Sequence, residues 1–225
     1  MAQALTRRLG QLYAGLVLYG FSMALLVRAR LGVMPWDVLH QGVARTIGGT
    51  LGTVSIVVGA LVLLLWIPLR QRPGVGTVSN VLVIGLAVDA SLAVLPHVDG
   101  MVLRSALVVA GVLLNAVATA AYIGVRLGPG PRDGLMTGLV RRTGRSVRVV
   151  RTSIEVVVVA TGWLLGGTLG VATVLYALAI GPLVQPLLPV FTVEAAGGAS
   201  SSRPAGRRAR RRAAVAPPLS APTRS

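Results

Sequence analysis

The sequence predicts an all-α membrane protein of about six transmembrane helices, built as two three-helix inverted repeats, each with a short Gly/Pro-initiated helix after its first span. Hydrophobic residues make up 54% of the 225 residues and charged residues only 12%, about half the charged share of an ordinary soluble domain. Six apolar segments are long enough to cross a bilayer. The third observation is a gapless internal repeat, in which residues 8–90 match residues 104–186.

The repeat is carried by residue types that composition alone does not explain. The pattern LGxxPxDxLxxGxxRxxG begins at Leu31 and again at Leu127, and GVxTV begins at Gly74 and again at Gly170. Chance matches of Gly, Pro, Asp, Arg and Thr are rare in so apolar a chain. Because a fixed-period repeat decides architecture before other signals do, we expect two halves with the same helix order.

The lengths of the six apolar segments agree with the roughly 17–25 helical residues that are needed to cross about 30 Å of hydrocarbon. They cover residues 9–27, 51–69, 75–95, 103–125, 149–165 and 169–190. Three spans per half is an odd number, so the second half enters the membrane from the opposite side, as in inverted-topology repeats. Four spans per half would instead make the repeat parallel, but residues 33–48 are too short and too polar to add a span.

The arginines between the spans predict the orientation. Four regions on one side of the predicted membrane carry most of them, namely the stretch before span one, the loops after spans two and four, and the tail. The positive-inside rule then puts both termini of a multi-pass bacterial plasma-membrane protein in the cytoplasm. Arg28, Arg30 and Arg45 depart from this pattern, because they fall on the outer side.

The composition excludes several classes of site and partner. The chain has no cysteine, so disulfides, thiolate metal sites and cysteine nucleophiles are absent. No catalytic motif, cofactor motif or metal-ligand pattern is present, and we expect neither an enzyme nor a cofactor-binding or metal-binding protein. The arginines do not form a basic face interleaved with aromatic residues, so nucleic acid is not an expected partner.

The membrane domain is predicted over residues 1–192, and residues 193–225 form an Arg/Pro/Ala-rich cytoplasmic tail. Such a composition buries too little apolar surface to fold, so disorder is expected. The arginine cluster at 207–212 is suited to anionic lipid headgroups of the bilayer. The sequence leaves the oligomeric state open.

Each repeated motif is typical of a short, capped helix. Proline suits the first helical position, an acidic side chain suits the first turn and a basic one the last, and glycine suits the stop. The corresponding residues are Pro35, Asp37, Arg45 and Gly48 in the first half and Pro131, Asp133, Arg141 and Gly144 in the second. These helices either lie at the interface as connectors or re-enter the bilayer, as interrupted helices of transporters do.

If the helices re-enter, their N-termini converge and bring Asp37 and Asp133 toward the midplane, with His40 and Arg132 nearby. These residues are the first candidates for a solute or ion path. Asp89 and Glu155 join them because ionisable groups within spans suggest function. Asp89 has no evident local partner and is the better single candidate for a proton or cation site, whereas Glu155 has a structural alternative in an ion pair with Arg151 four residues earlier.

The strings LGVMPWDVLHQG, WIPLRQRPGVGT, GPGPRDGLMTGL and RTSIEV resemble the YczE/YyaS/YitT-type bacterial integral membrane proteins. The likeness covers roughly residues 7–190. It implies a multi-pass plasma-membrane protein and implies no reaction, substrate or cofactor.

Two functions are compatible with these observations. The first is a small secondary-transporter-like permease that moves a small solute or ion by rocking its two halves. The alternative is a non-transporting scaffold or accessory factor that acts through protein partners. A polar cavity between the halves, next to Asp37 and Asp133, favours transport, whereas solid packing with every carboxylate paired favours a scaffold.

Overall fold

The computed structural model describes residues 2–193, and side-chain environments from residue 5 onward. The described part is all-helical, without a β-strand, and consists of eight helices: α1 (Ala2–Ala29), α2 (Pro35–Ile47), α3 (Leu51–Trp66), α4 (Val75–Val94), α5 (Met101–Gly124), α6 (Pro131–Thr143), α7 (Val147–Leu164) and α8 (Val171–Phe191). The predicted disordered tail lies outside the described residues, apart from Val193.

Four helices in the described part are long and apolar enough to cross a membrane, namely α1, α4, α5 and α8. The count rises to five if α2 and α3, which meet at a bend of 110°, form one broken span. The six predicted spans are therefore not all reached on length and composition. Helix α3 has 16 residues, about 24 Å at 1.5 Å per residue, and α7 carries Arg148, Arg151 and Glu155.

The long helices and the shorter helices form separate parts of the core. Helices α1, α4, α5 and α8 bury the larger apolar cluster, which includes Leu16, Val88, Val112 and Tyr176. Helices α2, α3, α6 and α7 bury a second cluster around Trp36 and Trp66 with Val62, Leu135 and Val158. Small residues allow the central pair α1 and α5 to approach closely, because Gly15 faces Ala121 and Tyr122 while Gly111 faces Leu26.

The predicted limits of the two motif helices are confirmed. Pro35 and Pro131 are the first residues of α2 and α6, and Gly48 and Gly144 follow their last turns with positive φ. Both glycine N–H groups bond to carbonyls of the last turn, at 2.9 Å in each case. The local signals for starting and stopping a helix therefore act in both copies.

The two repeated motifs also bind to each other, reciprocally, across the halves. The N–H of Gly76 donates to the carbonyl of Leu127, and the N–H of Ala172 donates to the carbonyl of Leu31, both at 2.9 Å. Each donor lies in the GVxTV motif of one half and each acceptor lies in the LG step of the other. The loop that introduces each motif helix is thus fixed by the opposite half.

Candidate solute cavity

A cavity of about 370 Å³ lies among the helices, and residues of all eight helices line it. Its polar lining is Tyr19, His40, Ser55, Asn80, Thr119, Tyr122, Arg132, Asp133, Arg151, Glu155, Tyr176 and Gln185. Polar groups in an otherwise apolar helical protein are costly unless they serve packing or a ligand. Ligand pockets commonly have a volume of about 300–1,000 Å³ and a few converging polar groups.

The N-terminal ends of α2 and α6 meet at this cavity. The Arg132 guanidinium lies 3.8 Å from Asp37 Oδ1 and its Cζ lies 4.9 Å from the centroid of the Trp36 ring. Arg132 therefore combines an ion pair with a cation–π contact, both made to the opposite half. The structure thus brings together Asp37, His40, Arg132 and Asp133, which the sequence named as candidates.

Asp37 is fully buried, behind the side chains that line the cavity. Its Oδ1 atom lies 3.1 Å from Nδ1 of the equally buried His40. Its Oδ2 atom has no hydrogen-bond partner among the described residues. A buried polar group without a partner costs about 1–3 kcal/mol, and more when charged, so this arrangement is not explained by stability.

Asp133 faces the cavity itself. The Tyr122 hydroxyl donates to Asp133 Oδ2 at 3.2 Å. Within the described part of the chain, no basic side chain pairs with this carboxylate within 4.0 Å. Asp133 is therefore the cavity carboxylate that keeps capacity for a bound group.

Three tyrosines on the cavity wall were not among the candidates from sequence. Tyr19 and Tyr122 make an edge-to-face contact with ring centroids 6.2 Å apart. The hydroxyl of Tyr176 donates to Asn115 Oδ1 at 2.7 Å, and Asn115 Nδ2 donates to Ser22 Oγ at 2.8 Å. The usable sequence signal was the placement of hydroxyl and amide groups in apolar spans, where they need partners.

The structure does not bring Asp89 into this cluster. Its Oδ1 accepts from the N–H of Gly52 at 2.8 Å and its Oδ2 accepts from the hydroxyl of Thr50. A carboxylate at the first N–H groups of α3 satisfies donors that the helix leaves free. Asp89 therefore has partners that the sequence did not reveal, and its contacts are those of a helix cap.

Glu155 and Arg151 form the predicted ion pair, with Arg151 Nε 3.0 Å from Glu155 Oε1. Both side chains also line the cavity. The ion pair agrees with the structural alternative for Glu155, and Glu155 also remains a lining residue of the cavity.

Arginines in the last turns of α2 and α6 bind groups that follow helices of the opposite half. Arg45 donates to the carbonyl of Gly166 after α7, and Arg142 donates to that of Pro68 after α3 at 2.9 Å. Its neighbour Arg141 reaches the side-chain oxygen of Gln71 at 2.8 Å when that amide is oriented to accept. These cations lie near the negative ends of helices.

No group of three or more His, Cys, Asp or Glu side chains within residues 2–193 is arranged to hold a metal ion. The four to five apolar helices long enough to cross a bilayer within the described residues define the class, a multi-pass integral membrane protein. A family model described as a family of unknown function, DUF6198, matches residues 6–188, and the chain belongs to that family.

Three relatives agree with this assignment and with the YczE/YyaS-type resemblance. An uncharacterized protein of Haemophilus influenzae is 39% identical over 176 residues, covering 78% of this chain and 81% of its own length. The uncharacterized membrane protein YczE of Bacillus subtilis is 31% identical over 191 residues, covering 84% and 89%. The uncharacterized protein YyaS of the same organism is 21% identical over 180 residues, covering 78% and 90%. No solved structure matches the chain.

Proposed function

We propose that this protein is a small permease of the secondary-transporter type, without enzymatic activity, that moves a small solute through the central cavity. The observation that carries the proposal is the cavity of about 370 Å³, which both halves line and where charged and hydroxyl side chains meet apolar ones. A scaffold has no use for such a space, since well-packed apolar side chains are more stable.

The proposed architecture is the inverted repeat, with six crossings of the bacterial inner membrane and both termini in the cytoplasm. It is supported by the reciprocal bonds of Leu31 with Ala172 and of Leu127 with Gly76. A contact between residue i of one half and residue j of the other, repeated with the roles exchanged, is the signature of two-fold symmetry. Transporters with such halves bind solute at the repeat interface, where broken helices meet.

The arginines on the proposed outer side also fit this architecture. Arg28 donates to the carbonyl of Leu92 in the last turn of α4 and lies 2.9 Å from His97 Nε2, while Arg45 binds the carbonyl of Gly166. Helix C-termini attract cations. Arg28 and Arg45 thus have structural partners, which supports a role for them other than setting the orientation; Arg30 still departs from the positive-inside pattern.

The scaffold alternative is supported by two carboxylates that already have protein partners. Asp89 accepts from the N–H of Gly52, and Glu155 pairs with Arg151. The scaffold alternative also predicts a dry interior, and this makes the two functions separable by one experiment on water access. The chain contains no cysteine, so single cysteines can be introduced without first removing native ones.

The experiment compares Thr119→Cys and Ser55→Cys, on the cavity wall, with Leu113→Cys, an outward-facing residue of α5 that is 49% exposed. A membrane-impermeant thiol reagent modifies only hydrated cysteines. In sealed vesicles we expect labelling at residues 119 and 55 at least tenfold faster than at residue 113, from each side of the membrane as the halves rock. Equal, slow labelling at all three positions contradicts the permease and favours the scaffold.

A further inference from the structure

We infer that the solute is a small organic cation, such as a protonated or quaternary amine, bound between the Asp133 carboxylate and the aromatic wall of the cavity. This inference rests on the proposed permease function and names its substrate class. The charge balance, the aromatic lining and the absence of a metal-type ligand set each support it.

The charge balance of the site is negative. Asp133 and Glu155 line the cavity together with two guanidiniums, those of Arg132 and Arg151. The fully buried Asp37, which does not line the cavity, adds a third carboxylate to the cluster, so with a neutral His40 the cluster carries one excess negative charge. Glu155 is paired with Arg151 and Asp37 with Arg132. Among the described residues, Asp133 has no ion-pair partner within 4.0 Å; it accepts from the Tyr122 hydroxyl and has a backbone hydrogen bond to Gly130. A bound cation would supply the direct charge partner that this buried carboxylate lacks.

The aromatic lining favours an organic cation. The chain has nine aromatic residues in 225, and four of them line this cavity: Tyr19, Trp36, Tyr122 and Tyr176. Ring faces attract cations, and aromatic walls are the usual recognition element for alkylammonium groups. Arg132 already places a cation against one of these rings, 4.9 Å from the Trp36 centroid.

The cavity offers a poorer set of ligands to a divalent metal cation than to an organic cation. Calcium takes about six to eight oxygen ligands and magnesium near-ideal octahedral coordination, whereas no cluster of three or more acidic or imidazole side chains in residues 2–193 is arranged around one point. Asp37, the second carboxylate, does not line the cavity and pairs with Arg132, its Oδ1 3.8 Å from the guanidinium.

The test measures the thermal stability of the purified full chain in detergent with tetramethylammonium or tetraethylammonium chloride, against sodium chloride at the same ionic strength. We expect a saturable rise in the unfolding temperature. Asp133→Asn should weaken apparent binding at least tenfold, and Asp133→Glu should retain it better. The matched control is Asp99→Asn, which changes the same group on a side chain that is 95% exposed and should bind as the wild type does.

No saturable shift in the wild type, or an unchanged affinity in Asp133→Asn, overturns the inference. If Asp133→Asn fails to fold, protection of Thr119→Cys from the thiol reagent by tetraethylammonium decides instead, and its absence also overturns the inference. Failure of the permease itself has a different readout, since the cysteines at residues 119 and 55 then stay unlabelled without any ammonium present. If the cavity cysteines are labelled but ammonium ions change neither stability nor labelling, the substrate class is wrong and the permease proposal is unaffected.

Discussion

At the scale of the residue, two separate constraints require glycine in the repeated LG step: a positive φ angle and the lack of space for a Cβ atom. Gly32 and Gly128 have φ of +112° and +135°, a region that L side chains rarely adopt. A Cβ atom at Gly32 would also lie 2.7 Å from Thr173 Oγ1, and one at Gly128 would lie 2.7 Å from Thr77 Oγ1. The same glycine is therefore needed for the turn and for the contact between halves.

We predict that Gly32→Ala and Gly128→Ala each destabilise the protein by at least about 1–3 kcal/mol through backbone strain, seen as a lower unfolding temperature in detergent. The matched control is Gly10→Ala in α1, where an added Cβ meets nothing within 4 Å. There we expect no loss, and a gain of up to about 1 kcal/mol from helix propensity. Equal stability of all three variants would show that the turn tolerates a side chain.

The acidic residues mark the limit of sequence interpretation at this scale. Asp37 and Asp133 were recognised because Pro and Gly define their short helices locally. Asp89 could not be interpreted in the same way, since its partners Thr50 and Gly52 lie 37–39 positions earlier. The tyrosines of the cavity were missed for the same reason, because only tertiary packing brings Tyr19, Tyr122 and Tyr176 to one space.

At the scale of the element, the two motif helices are seated by complementary exchanges of large and small residues. Trp66 of α3 fills the space over Gly134 of α6, and its indole N–H donates to the carbonyl of Pro131 at 3.0 Å. The equivalent pair in the other half is Gly162 against Val38, where glycine lets α7 contact the backbone of α2 directly. The repeat alignment pairs Trp66 with Gly162 and Gly134 with Val38. The same helix contact is therefore made in both halves, but by different residue types.

We predict favourable coupling between Trp66→Phe and Gly134→Ala. Trp66→Phe leaves a cavity and removes a hydrogen bond, costing about 2–4 kcal/mol, while Gly134→Ala clashes with the distal indole ring. Together, the new methyl group enters the vacated space, so the double variant should be at least about 0.5 kcal/mol more stable than the sum of the single effects. Equilibrium unfolding in detergent measures the cycle, and strict additivity would contradict the contact.

Helix identity was more predictable than helix length. The starts and stops of α2 and α6 follow from local Pro and Gly signals. The apolar segments over 51–69 and 149–165 were read as full spans, yet α3 ends at Trp66 and α7 includes three charged residues. Apolar composition does not fix where a helix ends or which of its faces is buried. In α3, Trp66 is buried against Gly134 and Pro131 of the opposite half, while Leu61, Leu64 and Leu65 stay exposed.

At the scale of the whole molecule, the type of repeat determines on which side of the membrane equivalent residues lie. The halves exchange equivalent bonds through Leu31 and Leu127, and last-turn arginines of each motif helix, Arg45 and Arg142, bind carbonyls of the other half. If the halves face opposite ways, equivalent residues lie on opposite sides of the bilayer. A parallel repeat puts them on the same side, and the sequence alone cannot exclude it because its count of spans rests on segment length.

The decisive pair is Ile47→Cys and Thr143→Cys, the exposed last residues of α2 and α6. These positions are equivalent in the repeat, and the cysteine-free chain supplies no background. In bacterial spheroplasts, an impermeant maleimide should label residue 47 at once and residue 143 only after lysis, since the proposed topology puts the first motif on the outer side and its copy in the cytoplasm. Labelling of both from the outside, or of both only after lysis, would reject the inverted repeat. It would also remove the symmetry argument by which two oppositely oriented halves exchange an outward-open cavity for an inward-open one, and alternating access would then need another basis, such as the parallel repeats of other transporters.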